Sequence, residues 1–147
     1  MEIEEQVLSI EQMKHLQELG VDTSDASMYW VRAKRIIGKQ RNNVLDNEMG
    51  KWSLSLSKSI VHSVDWAVEY VPTYTIGDII EKLPKKIGIY HLFIDWDLTI
   101  IEYISWSWEE TIFRGCFNKD KPLIDALYNC LCWVANTHKE LLEVKNE

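Results

Sequence analysis

The feature that most restricts the fold is an apolar pattern in the last quarter of the sequence. Apolar side chains recur there at helical spacing, and Pro122 fits the first turn of a helix because its missing N–H would have no partner. Asp120 is the predicted N-cap. A stripe this long requires a sheet or other helices to cover it. The predicted apolar face comprises Leu123, Leu127, Cys130, Leu131, Val134, His138 and Leu141.

The residues before that helix predict antiparallel strands. Segments 87–96 and 99–106 favour two strands joined by a tight turn near residues 95–98, and segment 108–117 favours a third. Their short connections predict an antiparallel meander. Earlier in the chain, three apolar residues alternate with serines between 52 and 57, which is typical of a half-buried strand. Residues 28–33 and 60–71 also favour strands, the second of them over a helix.

Two further helices are predicted from their capping residues. Ser9 with Gln12, and Thr75 with Asp78, have the spacing and residue types of side-chain caps. They predict helices over 10–19 and 76–83, with Gly20 in the left-handed conformation after the first of them. We therefore predict an α+β fold: a single domain over residues 1–147, with an antiparallel sheet packed by a long C-terminal helix and two short helices.

Composition limits the function classes. With 147 residues, 46% of them hydrophobic, the chain can build one core, and its net charge of −7 disfavours general affinity for nucleic acid or membranes. No apolar run approaches the roughly 18 residues of a membrane span, and the acidic first five residues do not resemble a signal peptide. An odd number of cysteines, three, predicts a reducing cytoplasm.

The most suggestive catalytic motif is the acidic pair Asp95 and Asp97 followed by Thr99. An apolar strand ending in Asp-x-Asp-x-Thr is similar to the first motif of the haloacid-dehalogenase-like phosphatases. That resemblance implies a nucleophilic first Asp, an acid/base second Asp and a bridging Mg²⁺. The family's fold needs a doubly wound parallel sheet, whereas residues 100–147 predict strands and one helix. The favoured interpretation is a hairpin turn, where Asp is common because it binds its own backbone.

Neither a metal nor a cofactor is predicted. The cysteines and one histidine suggest zinc, but Cys130 and Cys132 are two residues apart on a helix and point to different faces. Cysteine is also commonly buried without a metal, and His138 continues the apolar face as a core or boundary residue.

Two groups of residues are candidates for an interface. Of the seven tryptophans, Trp106 and Trp108 would share one face of a regular strand, either in the core or as a patch for a partner. The stretch 32–51 has six basic residues against two acidic ones and reads as an exposed loop. Within it, Arg35, Lys39 and Arg41 could contact an acidic partner or phosphate, although nucleic-acid binding is disfavoured by the net charge.

Three short patterns carry a further resemblance. Residues 9–20 end in Leu-Gly and are followed by Tyr29-Trp30; residues 72–84 begin Pro-Thr-Tyr-Thr and end in Leu-Pro; residues 123–134 form the start of the last helix. Together they resemble a group of small uncharacterised proteins encoded by phages, prophages and mobile elements of gut bacteria. The resemblance implies one domain in the cytoplasm of a bacterial host, and it transfers no site residues.

The function we expect is non-enzymatic. The candidate catalytic groups lack partners in sequence, and the aromatic strands and charged loop are contact surfaces. We therefore expect an accessory protein that binds another protein, with self-association open and no membrane contact. The alternatives are Mg²⁺-dependent phosphatase-like use of residues 95–99 and weak nucleic-acid binding through the 32–51 loop.

Overall fold

The computed structural model describes residues 3–35, 51–56 and 66–142, with the side chains of residues 3–4, 33–35 and 66–68 outside that description. Single turns of 3-10 helix lie at Ile3–Gln6 and Lys139–Leu142. The α-helices of the described ranges are α1 (Ile10–Glu18), α2 (Ile76–Lys82) and α3 (Leu123–Thr137). The strands are β1 (Met28–Arg35), β2 (Ser53–Ser55), β3 (Trp66–Thr73), β4 (Lys86–Ile87), β5 (Tyr90–Asp95), β6 (Ile100–Ser105) and β7 (Thr111–Cys116).

The strands form two antiparallel sheets. One has the order β2-β1-β3 and the other the order β4-β5-β6-β7. Helix α3 packs against β6 and β7 and contacts α1 and α2. The predicted α+β fold, with a long C-terminal helix on an antiparallel sheet, is confirmed. In the part of the chain that is described, no helix combines the length and the apolar character needed to cross a membrane.

Capping boxes begin the first two helices, as predicted. The Ser9 hydroxyl accepts the Gln12 N–H at 3.1 Å, and the Gln12 side chain accepts the Ser9 N–H at 2.9 Å. Thr75 and Asp78 repeat this exchange at 3.1 and 3.0 Å. Asp78 also accepts two hydrogen bonds from Ser27, which attaches the start of α2 to the residue before β1. Two sequence-local signals therefore fix both helix starts.

The start of α3 differs from the prediction. Pro122 is the N-cap residue, no side chain caps the helix, and the assignment of Asp120 as the cap is wrong. The physical reason is the turn before the helix. The Asn118 side chain accepts the backbone N–H groups of Asp120 and Lys121, each at 2.8 Å, so Asp120 belongs to that turn. The helix ends at Thr137, which leaves His138 as its C-cap and Leu141 outside it, exposed.

The strand boundaries also differ from the predicted ones. The strand predicted over 28–33 continues to Arg35, because residues 32–35 pair with residues 66–69 of β3. The first four residues of the predicted 32–51 loop are therefore strand. Residues 36–50 of that loop lie outside the described part of the chain, as do residues 57–65. The strand predicted over 60–71 is confirmed from Trp66 onward.

The four-stranded sheet has two distinct faces. Trp133 of α3 packs against Tyr103 and Phe113 at ring-centroid distances of 5.8 and 5.3 Å, which defines the inner face. Buried residues of α3, including Leu127, Leu131 and Val134, complete the core on that side. Since successive side chains of a strand alternate between faces, the neighbours of Tyr103 in β6 point to the outer face.

Candidate binding surface

Register places two aromatic residues of β5 on the outer face. His91 pairs with Ile104, and Phe93 pairs with Glu102. Directly paired residues of an antiparallel sheet share a face, and both partners are neighbours of the inward-facing Tyr103. His91 and Phe93 therefore lie on the side of the sheet opposite α3.

Two tryptophans from the β6–β7 turn cover these residues. The Trp106 indole stacks on the His91 imidazole at a centroid distance of 4.1 Å, with 20° between the planes. The Trp108 indole stands edge-to-face against both His91, at 5.1 Å, and Phe93, at 5.0 Å. We call His91, Phe93, Trp106 and Trp108 the aromatic surface. The predicted strand over 108–117 starts only at Thr111, so a turn, not a strand, brings the tryptophans to one face.

Burial differs sharply within the aromatic surface. His91 is 9% exposed and Ile104 beside it 7%, whereas Trp106 and Trp108 are 67% and 54% exposed. The tryptophans shield the residues below them and leave much of their own rings in water. The sequence left open whether Trp106 and Trp108 lie in the core or form a patch for a partner. In the structure both side chains are exposed. Two adjacent exposed indoles are an apolar patch of the kind found at interaction sites.

Hydrogen bonds within the turn hold the tryptophans in position. The Ser105 N–H donates to the Glu110 carbonyl and its own carbonyl accepts the Trp108 N–H, both at 2.8 Å. The Ser105 hydroxyl accepts the Glu110 N–H at 3.1 Å and lies 3.0 Å from the Ser107 hydroxyl. Trp108 has a φ of +63°, a conformation that costs a non-glycine residue about 1 kcal/mol. The turn therefore presents the tryptophans in a fixed arrangement.

The turn that carries the tryptophans is acidic. Glu109 and Glu110 follow Trp108 directly, and both are exposed. The Tyr90 hydroxyl donates to Glu110 at 3.0 Å, and this hydrogen bond raises the pKa of Tyr90. On the outer face of the sheet, the buried Glu102 pairs with the exposed Arg114 at 3.6 Å. Two exposed carboxylates therefore lie beside the tryptophans, and the exposed Lys86 lies on the same face of the sheet through its pairing with His91.

The predicted basic contact residues lie at the edge of the described part of the chain or outside it. Arg35 is the last residue of β1 and its side chain is outside the description, while Lys39 and Arg41 lie wholly outside the described residues. Arg32, at the start of the same basic stretch, is already engaged. Its guanidinium pairs with Glu69 at 2.7 Å and lies 4.5 Å from the centre of the Trp52 ring.

The acidic pair lies in a hairpin turn, as the favoured interpretation predicted. One carboxylate oxygen of Asp95 accepts the backbone N–H groups of Asp97 and Leu98, at 2.9 and 3.0 Å. Asp95 ends β5, and the turn leads into the antiparallel partner β6. The Asp95 carboxylate therefore has a structural role in closing this turn.

The three cysteines lie in different environments. Cys130 is fully buried in the core and its burial raises the thiol pKa to about 12, whereas Cys116 is exposed on β7. Burial also raises the pKa of Cys132. Over the described ranges, no three His, Cys, Asp or Glu side chains come together as metal ligands would.

No protein-family model, curated protein or solved structure matches this chain. The candidate surface is therefore defined by geometry alone. Sequence reasoning selected Trp106 and Trp108 but missed His91 and Phe93. The sequence did contain a signal for His91 and Phe93. Both alternate with Leu92, an inward-facing residue of β5, and therefore lie on the opposite face.

Proposed function

We propose that this protein is a non-enzymatic accessory protein that acts by binding another protein through the aromatic surface. The observation that carries the proposal is the pair of exposed indoles, Trp106 and Trp108, packed on a buried His91. The resemblance of the sequence to small phage and prophage proteins supports an origin in a mobile element and gives the proposal its biological setting.

Tryptophan is the residue type most enriched among those that dominate binding energy at protein interfaces. Binding through Trp106 and Trp108 would cost little conformational entropy, because ring contacts and turn hydrogen bonds already hold them. Both rings would lose solvent contact on binding, and the apolar area removed from water would favour the complex.

The acidic turn indicates the chemistry of the partner. Glu109 and Glu110 lie next to the tryptophans, so a complementary surface would combine apolar groups with Lys or Arg. Cationic side chains could also lie over the indole faces, an interaction worth about 0.5–2 kcal/mol. The alternative of nucleic-acid binding would use the basic stretch 32–51 and not this turn, since the carboxylates of the turn would repel phosphates.

The experiment is an affinity capture from bacterial lysate, treated with nuclease, with three forms of the full chain. The forms are the wild type, the double variant Trp106→Ala with Trp108→Ala, and the control Trp96→Ala. Trp96 is 63% exposed in a different turn and contacts Phe117 instead of the aromatic surface. We expect one stoichiometric protein that binds the wild type and the control and is lost from the double variant.

Three outcomes would contradict the proposal. Equal capture by the double variant would remove the aromatic surface from the interface. Loss of all captured material on nuclease treatment would favour nucleic acid and the 32–51 stretch. Capture of the chain by itself, with no second protein, would indicate self-association in place of a partner.

A further inference from the structure

A cavity of about 790 Å³ lies away from the aromatic surface, where the N-terminal ends of α1 and α3 meet the β5–β6 turn. None of the four residues of the aromatic surface lines it. Its volume lies within the range of roughly 300–1,000 Å³ in which proteins bind small molecules. Its walls are mainly apolar and include three aromatic rings, Trp30, Trp96 and Phe117.

The aromatic rings of the cavity wall are held in place by contacts within the fold. The Trp30 indole N–H donates to the Leu8 carbonyl at 2.9 Å, which fixes the ring and satisfies its one donor. Trp96 and Phe117 stand edge-to-face at 6.0 Å. The face of an aromatic ring carries partial negative charge, so such walls attract cations and disfavour anions.

The charged groups of the lining agree with that preference. Two carboxylates, Glu5 and Asp125, line the cavity together with one ammonium, Lys119. Asp125 is half-buried and accepts a hydrogen bond from the Gln12 amide at 3.2 Å, which holds its charge at the cavity wall. Glu5 and Lys119 are both exposed and carry opposite charges, so the half-buried Asp125 carboxylate decides the sign of the charge in the lining.

The partial positive charges of the helix N-termini do not change the preference of the cavity for a cation. The N-termini of α1 and α3 carry partial positive charge, but each has an acidic residue in its first turn, Glu11 and Asp125. Since a helix N-terminus carries only about half an elementary charge, the Asp125 carboxylate outweighs that of α3 and leaves a net negative charge at the cavity wall.

We propose that this cavity binds a small organic cation with apolar substituents on nitrogen, of the quaternary-ammonium type. The apolar substituents contact the rings of Trp30, Trp96 and Phe117, and the positive charge faces the ring surfaces and the Asp125 carboxylate. This site is independent of the proposed protein-binding function, since it uses different residues.

The test compares three probes of similar size by isothermal titration calorimetry: benzyltrimethylammonium, neutral benzyl alcohol and anionic phenylacetate. We expect the ammonium to bind the full-length chain about ten-fold more tightly than the alcohol, and phenylacetate to bind most weakly. In ¹⁵N-labelled protein, the ammonium should shift the indole N–H signals of Trp30 and Trp96 and leave those of Trp106 and Trp108 unchanged.

Variants then assign the affinity to the cavity. Trp96→Ala should weaken ammonium binding about ten-fold, and Trp96→Phe should restore most of it because a ring face is retained. Asp125→Asn should weaken the ammonium several-fold without affecting the alcohol, whereas Lys119→Gln should strengthen the ammonium. Trp106→Ala, outside the cavity, is the control and should leave all three affinities unchanged.

Each opposite result overturns the proposal. Equal or tighter binding of the alcohol or of phenylacetate would show that the cavity does not select cations. Absence of measurable heat and of indole shifts with millimolar ammonium would show that it is not a ligand site. An equal loss on Trp106→Ala would place the binding on the aromatic surface instead.

Discussion

His91 and Trp106 form a stacked pair, with ring centroids 4.1 Å apart, on the outer face of the four-stranded sheet, which none of the described helices covers. Within the described part of the chain, the stack replaces the cover that α3 provides on the inner face. A buried imidazole thus depends on an exposed indole for its shielding. This dependence links the stability of the sheet to the residues proposed to bind a partner.

Removing the indole should therefore destabilise the protein although Trp106 is largely exposed. We expect Trp106→Ala to lower the free energy of unfolding by about 1 kcal/mol, the usual value of an aromatic pair. Urea denaturation followed by circular dichroism measures it. Leu98→Ala is the matched control, because Leu98 is 65% exposed in the β5–β6 turn, and its effect should stay within about 0.5 kcal/mol. Equal effects of the two substitutions would show that the stack contributes no stability.

His91 itself is not optimised for stability. Its Nδ1 atom is buried and has no hydrogen-bond partner among the described residues, a situation that costs about 1–3 kcal/mol. His91→Phe keeps an aromatic ring against Trp106 and removes the unpaired nitrogen, so we expect the free energy of unfolding to rise by about 1 kcal/mol. The same urea titration measures this change. A less stable His91→Phe variant would indicate that the nitrogen is satisfied in solution.

Much of this fold could be predicted from local sequence signals. The caps at Ser9 and Thr75 and the turn at Asp95 all depend on hydrogen bonds between residues two or three apart, which a sequence pattern records. The division of the strands into two sheets could not be predicted, because pairing of β1 with β3 depends on contacts between residues more than thirty positions apart.

The candidate surface was only partly predictable for a similar reason. Trp106 and Trp108 are exposed because β6 ends before them and the following turn folds them back over His91. The end of the strand and the path of the turn are both tertiary features. Asp120 shows the same limit on a local scale, since the Asn118 side chain binds the N–H groups of Asp120 and Lys121 and so places Asp120 in a turn before the helix.

Two glycines should respond to alanine in opposite directions. Gly77 lies in α2, where a new Cβ would meet only the Thr75 hydroxyl, at an ordinary contact distance of 3.8 Å, so Gly77→Ala should raise the free energy of unfolding by about 0.5–1 kcal/mol. Gly20 has a φ of +86°, as predicted for the residue after α1, and a Cβ there would collide with the Lys139 side chain. Gly20→Ala should lower stability by about 1 kcal/mol or more. Thermal melts of the two variants provide the comparison, and a shift of both in the same direction would contradict it.

Cys130 should make the protein less stable in alkali. Burial raises its thiol pKa to about 12 in the folded state, against an ordinary value of 9.0. Below pH 9.0 the thiol is protonated in both the folded and the unfolded state, so it does not make the free energy of unfolding depend on pH. Between pH 9.0 and about 12 the unfolded chain loses the proton while the folded chain keeps it, so unfolding becomes easier by up to about 1.4 kcal/mol per pH unit.

The measurement is urea denaturation between pH 8 and pH 10. Tyrosines of the unfolded chain also begin to ionise toward pH 10, and that contribution is common to the wild type and to the variant. Cys130→Val removes the titrating group with little change in volume, and its stability should fall less steeply with pH than that of the wild type. A smaller slope should remain, because burial also raises the pKa of Cys132. Identical slopes for the wild type and Cys130→Val would show that the Cys130 thiol ionises equally in both states and that its burial does not influence alkaline stability.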